Sequence, residues 1–261
     1  ITKMTTPEKS TYLVNQEGSE INSIYGLKCL GIIRSQELAD EINKNCPQYE
    51  TVKVGDLYYE DIAGAFDDNG NPIPDGKVND DDRTIIGTTI PRYTYGVTLH
   101  LGWKGIDLSA FFQGVGKANS HLASYYIWPA YQGGTYRAEF LNRLNPNDQS
   151  TWATAQYPRL TRTGIQNYRS SSFWMADASY CRLKNLQLSY TFPKKMMQKA
   201  KIQNLMLFAN AQNLFTWTKF YQGFDPEITH TGSGDGVQLG TDAAANYPQV
   251  RTFTFGLEIK F

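Results

Sequence analysis

The stretch Arg251-Thr-Phe-Thr-Phe-Gly-Leu-Glu-Ile-Lys-Phe261 sorts its side chains into two sets. Phe253, Phe255, Leu257, Ile259 and Phe261 fall on one face of an extended chain; Thr252, Thr254, Gly256, Glu258 and Lys260 fall on the other. Side chains alternate with period two along a strand, so this segment reads as a strand with one apolar face and one polar or small face. The same alternation sets Tyr93, Tyr95, Val97, Leu99 and Leu101 against Thr94, Gly96, Thr98, His100 and Gly102. It returns in Ile106, Leu108, Ala110 and Phe112 against Asp107, Ser109 and Gln113, with Phe111 as the exception. A fourth strand is expected over 174–192, where Leu186, Leu188, Tyr190 and Phe192 alternate after a break at Lys184-Asn185. A fifth, over 204–214, carries Leu205, Leu207, Ala209 and Ala211 on one side. Segments 21–33 and 55–59 read as less regular strands, and Ser35 as the N-cap of a short helix with Leu38 and Ile42 on one face.

Connection lengths say more than the strands do. Only Trp103-Lys104-Gly105 separates two strands, whereas the next connection, 116–172, is very long. A short piece with one or two helical turns follows Phe192, and then 215–248 is long again. Transmembrane β-barrels keep this asymmetry, with short periplasmic turns and long outer loops. The loops 60–91, 116–172 and 215–248 are therefore expected to face outward. No run of about 18 apolar residues is present, so no membrane-spanning helix is expected; barrel strands need only about 10 alternating residues.

Lys+Arg and Asp+Glu are both 25, a balance that argues against a general nucleic-acid binder. Cys29, Cys46 and Cys181 have no metal-ligand spacing; either Cys29 and Cys46 pair or all three are thiols. The chain opens at Ile1-Thr-Lys-Met4 without an initiator Met or signal peptide, the mark of a fragment or a processed product.

Three constellations could carry chemistry. In the acidic loop 67–82, Asp75, Gly76, Asn79 and Asp82 resemble the back half of a calcium loop, with Asp75, Asn79 and Asp82 as the candidate ligands. Pro72 and Pro74 interrupt its front half, and the competing reading is a solvated turn closed by Asx hydrogen bonds. The loop 116–172 holds Tyr125, Tyr126, Trp128, Tyr131, Tyr136, Trp152 and Tyr157. Such faces stack on sugars or anchor partners, and they also pack loops or line membrane boundaries. Tyr125, Tyr126, Trp128, Tyr131, Trp152 and Tyr157 are the candidate substrate or partner contacts. Asp225 and Glu227 could form a hydrolytic carboxylate pair, although a structural use is the simpler reading. No phosphate-binding loop or nucleophile elbow appears, and His100, His121 and His230 lie far apart.

Several segments resemble the SusC/RagA branch of TonB-dependent transporters. Gly55-Asp-Leu-Tyr-Tyr-Glu-Asp61 with Asn79-Asp-Asp-Asp-Arg-Thr-Ile-Ile-Gly87 is similar to that family's GD…DDRTIIG stretch. Tyr93–Gly96 and Gly105–Gly114 resemble its following strand pair, and Ala178-Ser-Tyr-Cys-Arg-Leu-Lys-Asn-Leu186 resembles ASYLRLKNL. Asn213-Leu-Phe-Thr-Trp217 with Gly223-Phe-Asp-Pro-Glu227 resembles NLFTW…DPE, and Tyr247-Pro248, Arg251-Thr252 and Phe261 resemble the closing strand. The motifs run in order from about Tyr25 to the end. Cys181 stands where an apolar residue is usual, and an insertion around 69–74 departs from the family's acidic loop.

The resemblance implies the last strands of a 22-stranded barrel with a plugged lumen. Residues 1–261 would be a C-terminal barrel portion without the plug. It also implies outer-membrane lipid around the wall, a SusD-like lipoprotein as lid, TonB acting through the plug, and a glycan or peptide as cargo, with no catalytic residue. Since an open sheet edge is untenable in lipid, the N-terminal remainder of the same transporter would complete the wall. The rivals are a soluble carbohydrate-binding β-sandwich and a surface glycosidase using Asp225 or Glu227.

Overall fold

The computed structural model describes residues 2–3, 8–9, 13–122, 127–129, 135–198, 201–220, 224–227, 238–239 and 249–261. It separates into two compact units, one built from residues 1–90, 119–176 and 230–245, the other from 91–118, 177–229 and 246–261.

The second unit is a five-stranded antiparallel sheet of β1 (Tyr93–Trp103), β2 (Ile106–Gly116), β3 (Tyr180–Thr191), β4 (Asn204–Thr218) and β5 (Thr252–Lys260). Each strand pairs with its neighbour in sequence, so the sheet is a plain meander. Lys104 and Gly105 both take positive φ, +47° and +88°, which is the two-residue turn whose twist matches a hairpin. The period-two pattern becomes a two-faced wall. Leu101, Leu108, Leu188, Ala209 and Phe255 form one continuous cross-strand row on the apolar face. His100, Ser109, Gln187, Asn210 and Thr254 form a row on the other.

Many of the large apolar side chains on this face stay open: Leu101 is 66% and Phe255 80% exposed. A soluble sandwich would bury that face under a second sheet, whereas a barrel wall turns it to lipid. Aromatic residues gather at both ends of the face. Tyr93, Tyr95 and Trp217 sit at the end where the long connections leave; Trp103, Tyr190 and Phe192 sit at the turn end. That is the placement expected of interfacial girdles. The fold is thus an all-β portion of a transmembrane barrel.

The break at Lys184-Asn185 is a β-bulge. Phe111 pairs with Asn185 and Phe112 with Leu183, leaving Lys184 as the extra residue. A bulge leaves one residue unpaired and re-aims its neighbours. Here it keeps Arg182 and Asn185, with the unpaired Lys184 between them, on the polar side, and Leu183 and Leu186 on the apolar one.

The first unit is irregular and carries its own core. The segments read as strands at 21–33 and 55–59 form short strands here, Ser23–Gly26, Cys29–Ile32 and Leu57–Tyr59, apart from the long sheet. Helix α1 (Gln36–Asn45) starts at Ser35, whose hydroxyl accepts from the Leu38 N–H, and buries Ala39 and Ile42 against Ile33 and Val52. Asp56 ties distant segments together. Its carboxylate accepts from Arg159 Nε at 2.7 Å and Nη2 at 3.0 Å and from Asn167 Nδ2 at 2.8 Å, while Asn167 Oδ1 accepts from the Leu57 N–H. All three cysteines are free thiols, and burial pushes the Cys29 thiol up to about 11.

Candidate functional site

The polar face of the sheet carries an ion cluster built on the bulge. Arg182 donates to Asp225 Oδ1 at 2.6 Å, to Glu227 Oε2 at 2.7 Å and to Thr216 Oγ1 at 2.8 Å. Lys184, the extra residue, reaches both Glu227 oxygens at 2.7 Å. Asp225 also accepts from the backbone N–H groups of Glu227 and Gln249. The two ends of the connection after β4 are thereby clasped to one guanidinium. Burial pushes the Asp225 carboxyl up, but the hydrogen bonds from Arg182, Gln249 and Glu227 outweigh it and hold the group below its ordinary 3.8. A glycosidase acid must be protonated near neutral pH. Asp225 and Glu227 both grip Arg182, and Glu227 grips Lys184 as well, so the pair is held in a clasp on the polar face.

The acidic loop closes around a spliced hairpin. Gly64–Phe66 and Pro72–Pro74 pair with each other and project as an exposed ribbon, with Gly64 beside Pro74. Its folding-out brings Asp61 to the loop: the N–H groups of Asp75 and Gly76 donate to Asp61 Oδ1 and Oδ2 at 3.2 and 2.7 Å. Counted from Asp61 across the splice, Asp75, Asn79 and Asp82 take the fifth, ninth and twelfth places of a calcium loop, with Gly76 sixth. Ala63 puts no donor in the third place. Asp82, fully buried, accepts instead from the N–H groups of Ile62, Ala63 and Asn79, and Asn79 caps the turn Asp80–Asp82. Asp75 accepts from the Lys77 N–H and pairs with its ammonium. Among the described residues no three His, Cys, Asp or Glu side chains converge to hold a metal ion.

The aromatic loop divides. Tyr125, Tyr126 and Tyr131 lie outside the described residues. Trp152 donates its indole N–H to the Asn145 carbonyl at 3.0 Å. Tyr157 meets Phe140 edge-on at 5.3 Å, and its ring centre lies 6.4 Å from that of Trp174. Both pack the first unit. Trp128 differs: it stacks on Tyr168 at 4.8 Å and lines a cavity of about 220 Å³ with Tyr49, Arg83 and Arg169. Tyr49 donates its hydroxyl to Asp80 at 2.7 Å, and burial followed by that bond raises its pKa, while Arg169 and Arg83 oppose the rise. Sequence reading missed Tyr49, Tyr168 and both arginines because they come from three separate segments, around 49, 83 and 168–169, and share no spacing.

No family model matches the chain. It is 30% identical over 252 residues to TonB-dependent receptor P3 of Formosa agariphila, covering 94% of this chain and 23% of that protein. TonB-dependent receptor P26 of the same organism is 29% identical over the same coverage. The chain thus spans about a quarter of the length of the curated relatives it matches. Among solved structures, the RagAB peptide importer in its open-open state superposes with a TM-score of 0.68 at 23% identity, over 100% of this chain and 25% of the other. The closed-closed state gives 0.69 at 24% identity.

Proposed function

We propose, for a chain that is a relative of the SusC/RagA-type TonB-dependent transporters, that it forms part of the wall of an outer-membrane barrel importing glycans or oligopeptides. Residues 1–261 would all belong to the barrel portion, with 60–91, 116–172 and 215–248 as outward loops. A SusD-like lipoprotein would capture cargo above it, TonB would supply energy through a plug elsewhere in the protein, and no residue here would catalyse a reaction. The observation that carries this reading is the continuous apolar row across all five strands, open at Leu101 and Phe255, backed by an opposite row of polar side chains. A lipid-facing wall around a polar lumen requires that combination.

The test uses the full-length protein in the Gram-negative cell that makes it. Deleting its gene should abolish uptake of one class of fluorescent oligosaccharide or oligopeptide, and depleting TonB should do the same. Detergent extraction should bring down a lipoprotein with it. Uptake unchanged by both the deletion and the TonB depletion would overturn the proposal.

A further inference from the structure

The cavity beside Trp128 has a chemistry that importing a neutral chain would not need. Arg169 lays its guanidinium on the Tyr49 ring, 3.2 Å from centre to Cζ. Its Nε is buried without a hydrogen-bond partner, and among the described residues no carboxylate pairs with it. Arg83 adds a second cation on the same wall, held over Tyr25 at 4.6 Å. The one carboxylate among the described lining residues, Asp80, already accepts from the Tyr49 hydroxyl. Among the described lining residues two guanidiniums thus stand against one carboxylate, and Arg forks bind carboxylate and sulfate-like oxyanions well. The nearly parallel Trp128–Tyr168 pair, 17° between planes, supplies a flat apolar platform.

We infer that this cavity is a subsite for the anionic ring of an acidic glycan, a sugar carrying a carboxylate or a sulfate. The ring lies against the Trp128–Tyr168 platform and its oxyanion faces Arg169 and Arg83. At about 220 Å³ the space is smaller than the roughly 300–1,000 Å³ of drug-sized sites, so it takes one ring. A peptide is the poorer fit, because extended peptides are commonly held along an open strand edge. The lining comes instead from turns, bends and single-turn segments around Tyr49, Asp80, Trp128 and Tyr168. The inference rests on the import reading for the origin of the ligand only.

The experiment is calorimetric titration of the full-length transporter in detergent, with four probes. They are tetragalacturonate, its methyl ester, a sulfated κ-carrageenan tetrasaccharide and a glutamate-rich tetrapeptide. At least one acidic oligosaccharide should bind, and whichever does tells carboxylate from sulfate; the ester should not. Arg169→Gln should weaken that binding about tenfold or more, as loss of a charged hydrogen bond does. Arg169→Lys, which keeps the charge and guards against misfolding of the first variant, should fall between. Equal binding of acid and ester, indifference to both substitutions, binding of the peptide alone, or no binding at all would overturn the inference. Titration needs neither TonB nor uptake, so failure here leaves the import reading to its own test, and failed uptake leaves the subsite intact.

Discussion

At the scale of single residues, His121 has the plainest consequence. It is fully buried in the first unit, and burial, followed by the charge of Arg83, lowers its pKa to about 3 from the ordinary 6.5. In the unfolded chain the ring takes up a proton below about 6.5; in the folded unit it stays neutral down to about 3. The stability it contributes is complete above 6.5 and drains as pH falls through that window, by about 1.4 kcal/mol per unit. The thermal melting temperature of the purified full-length protein, followed by tryptophan fluorescence, should therefore drop between pH 7 and pH 5. His121→Phe should flatten the slope, and a slope unchanged by that substitution would refute the assignment. Nothing in the sequence around Ser120-His121-Leu122 announces this burial. A lone histidine reveals its environment only when strands remote in sequence close over it. The cavity arginines were hidden in the same way, since Arg83 sits inside a motif legible for its aspartates and Arg169 in a serine run.

At the scale of elements, the period-two pattern located all five sheet strands, and the turn chemistry at Lys104-Gly105 located the tightest hairpin. The interruption at Lys184 was visible as a flaw in alternation; its purpose, aiming Arg182 and Lys184 at Asp225 and Glu227, was not. A bulge is local, but its partners lie more than forty residues on. The acidic loop was misleading for the opposite reason, because a hairpin spliced after Gly64 hid Asp61 from any count of spacing. That hairpin is exposed and, among the described residues, pairs only with itself. Deleting residues 65–74, so that Gly64 joins Asp75, should leave the melting temperature of the full-length protein within a few degrees. Asp82→Ala should do the reverse, since it orphans three N–H groups: a loss of about 1–3 kcal/mol for each donor left buried without water. Hydrogen exchange at Ile62, Ala63 and Asn79 reads the difference directly. A hairpin deletion that melts the unit as badly as Asp82→Ala would show that the ribbon, not the carboxylate, organises the loop.

At the scale of the molecule, the sheet ends on both sides without a further strand among the described residues: β1 and β5 are its edges. Both are long, both carry an exposed apolar face, and Phe253 and Phe255 on β5 are 60% and 80% exposed. In water such edges template aggregation, and in lipid their unpaired N–H and C=O groups are untenable. The five described strands therefore do not close on themselves as a membrane wall must, whereas a soluble sandwich would need no closure. Expressed alone and refolded in detergent, residues 1–261 should give a polydisperse species whose gel mobility is the same with and without boiling. Within the full-length protein they should instead belong to a compact form that resists SDS until heated, as closed barrels do by leaving no edge. A lone chain that runs as a sharp monomer without detergent would mean that the Leu101 and Phe255 face is covered by protein. The wall, and the import reading built on it, would then both fall.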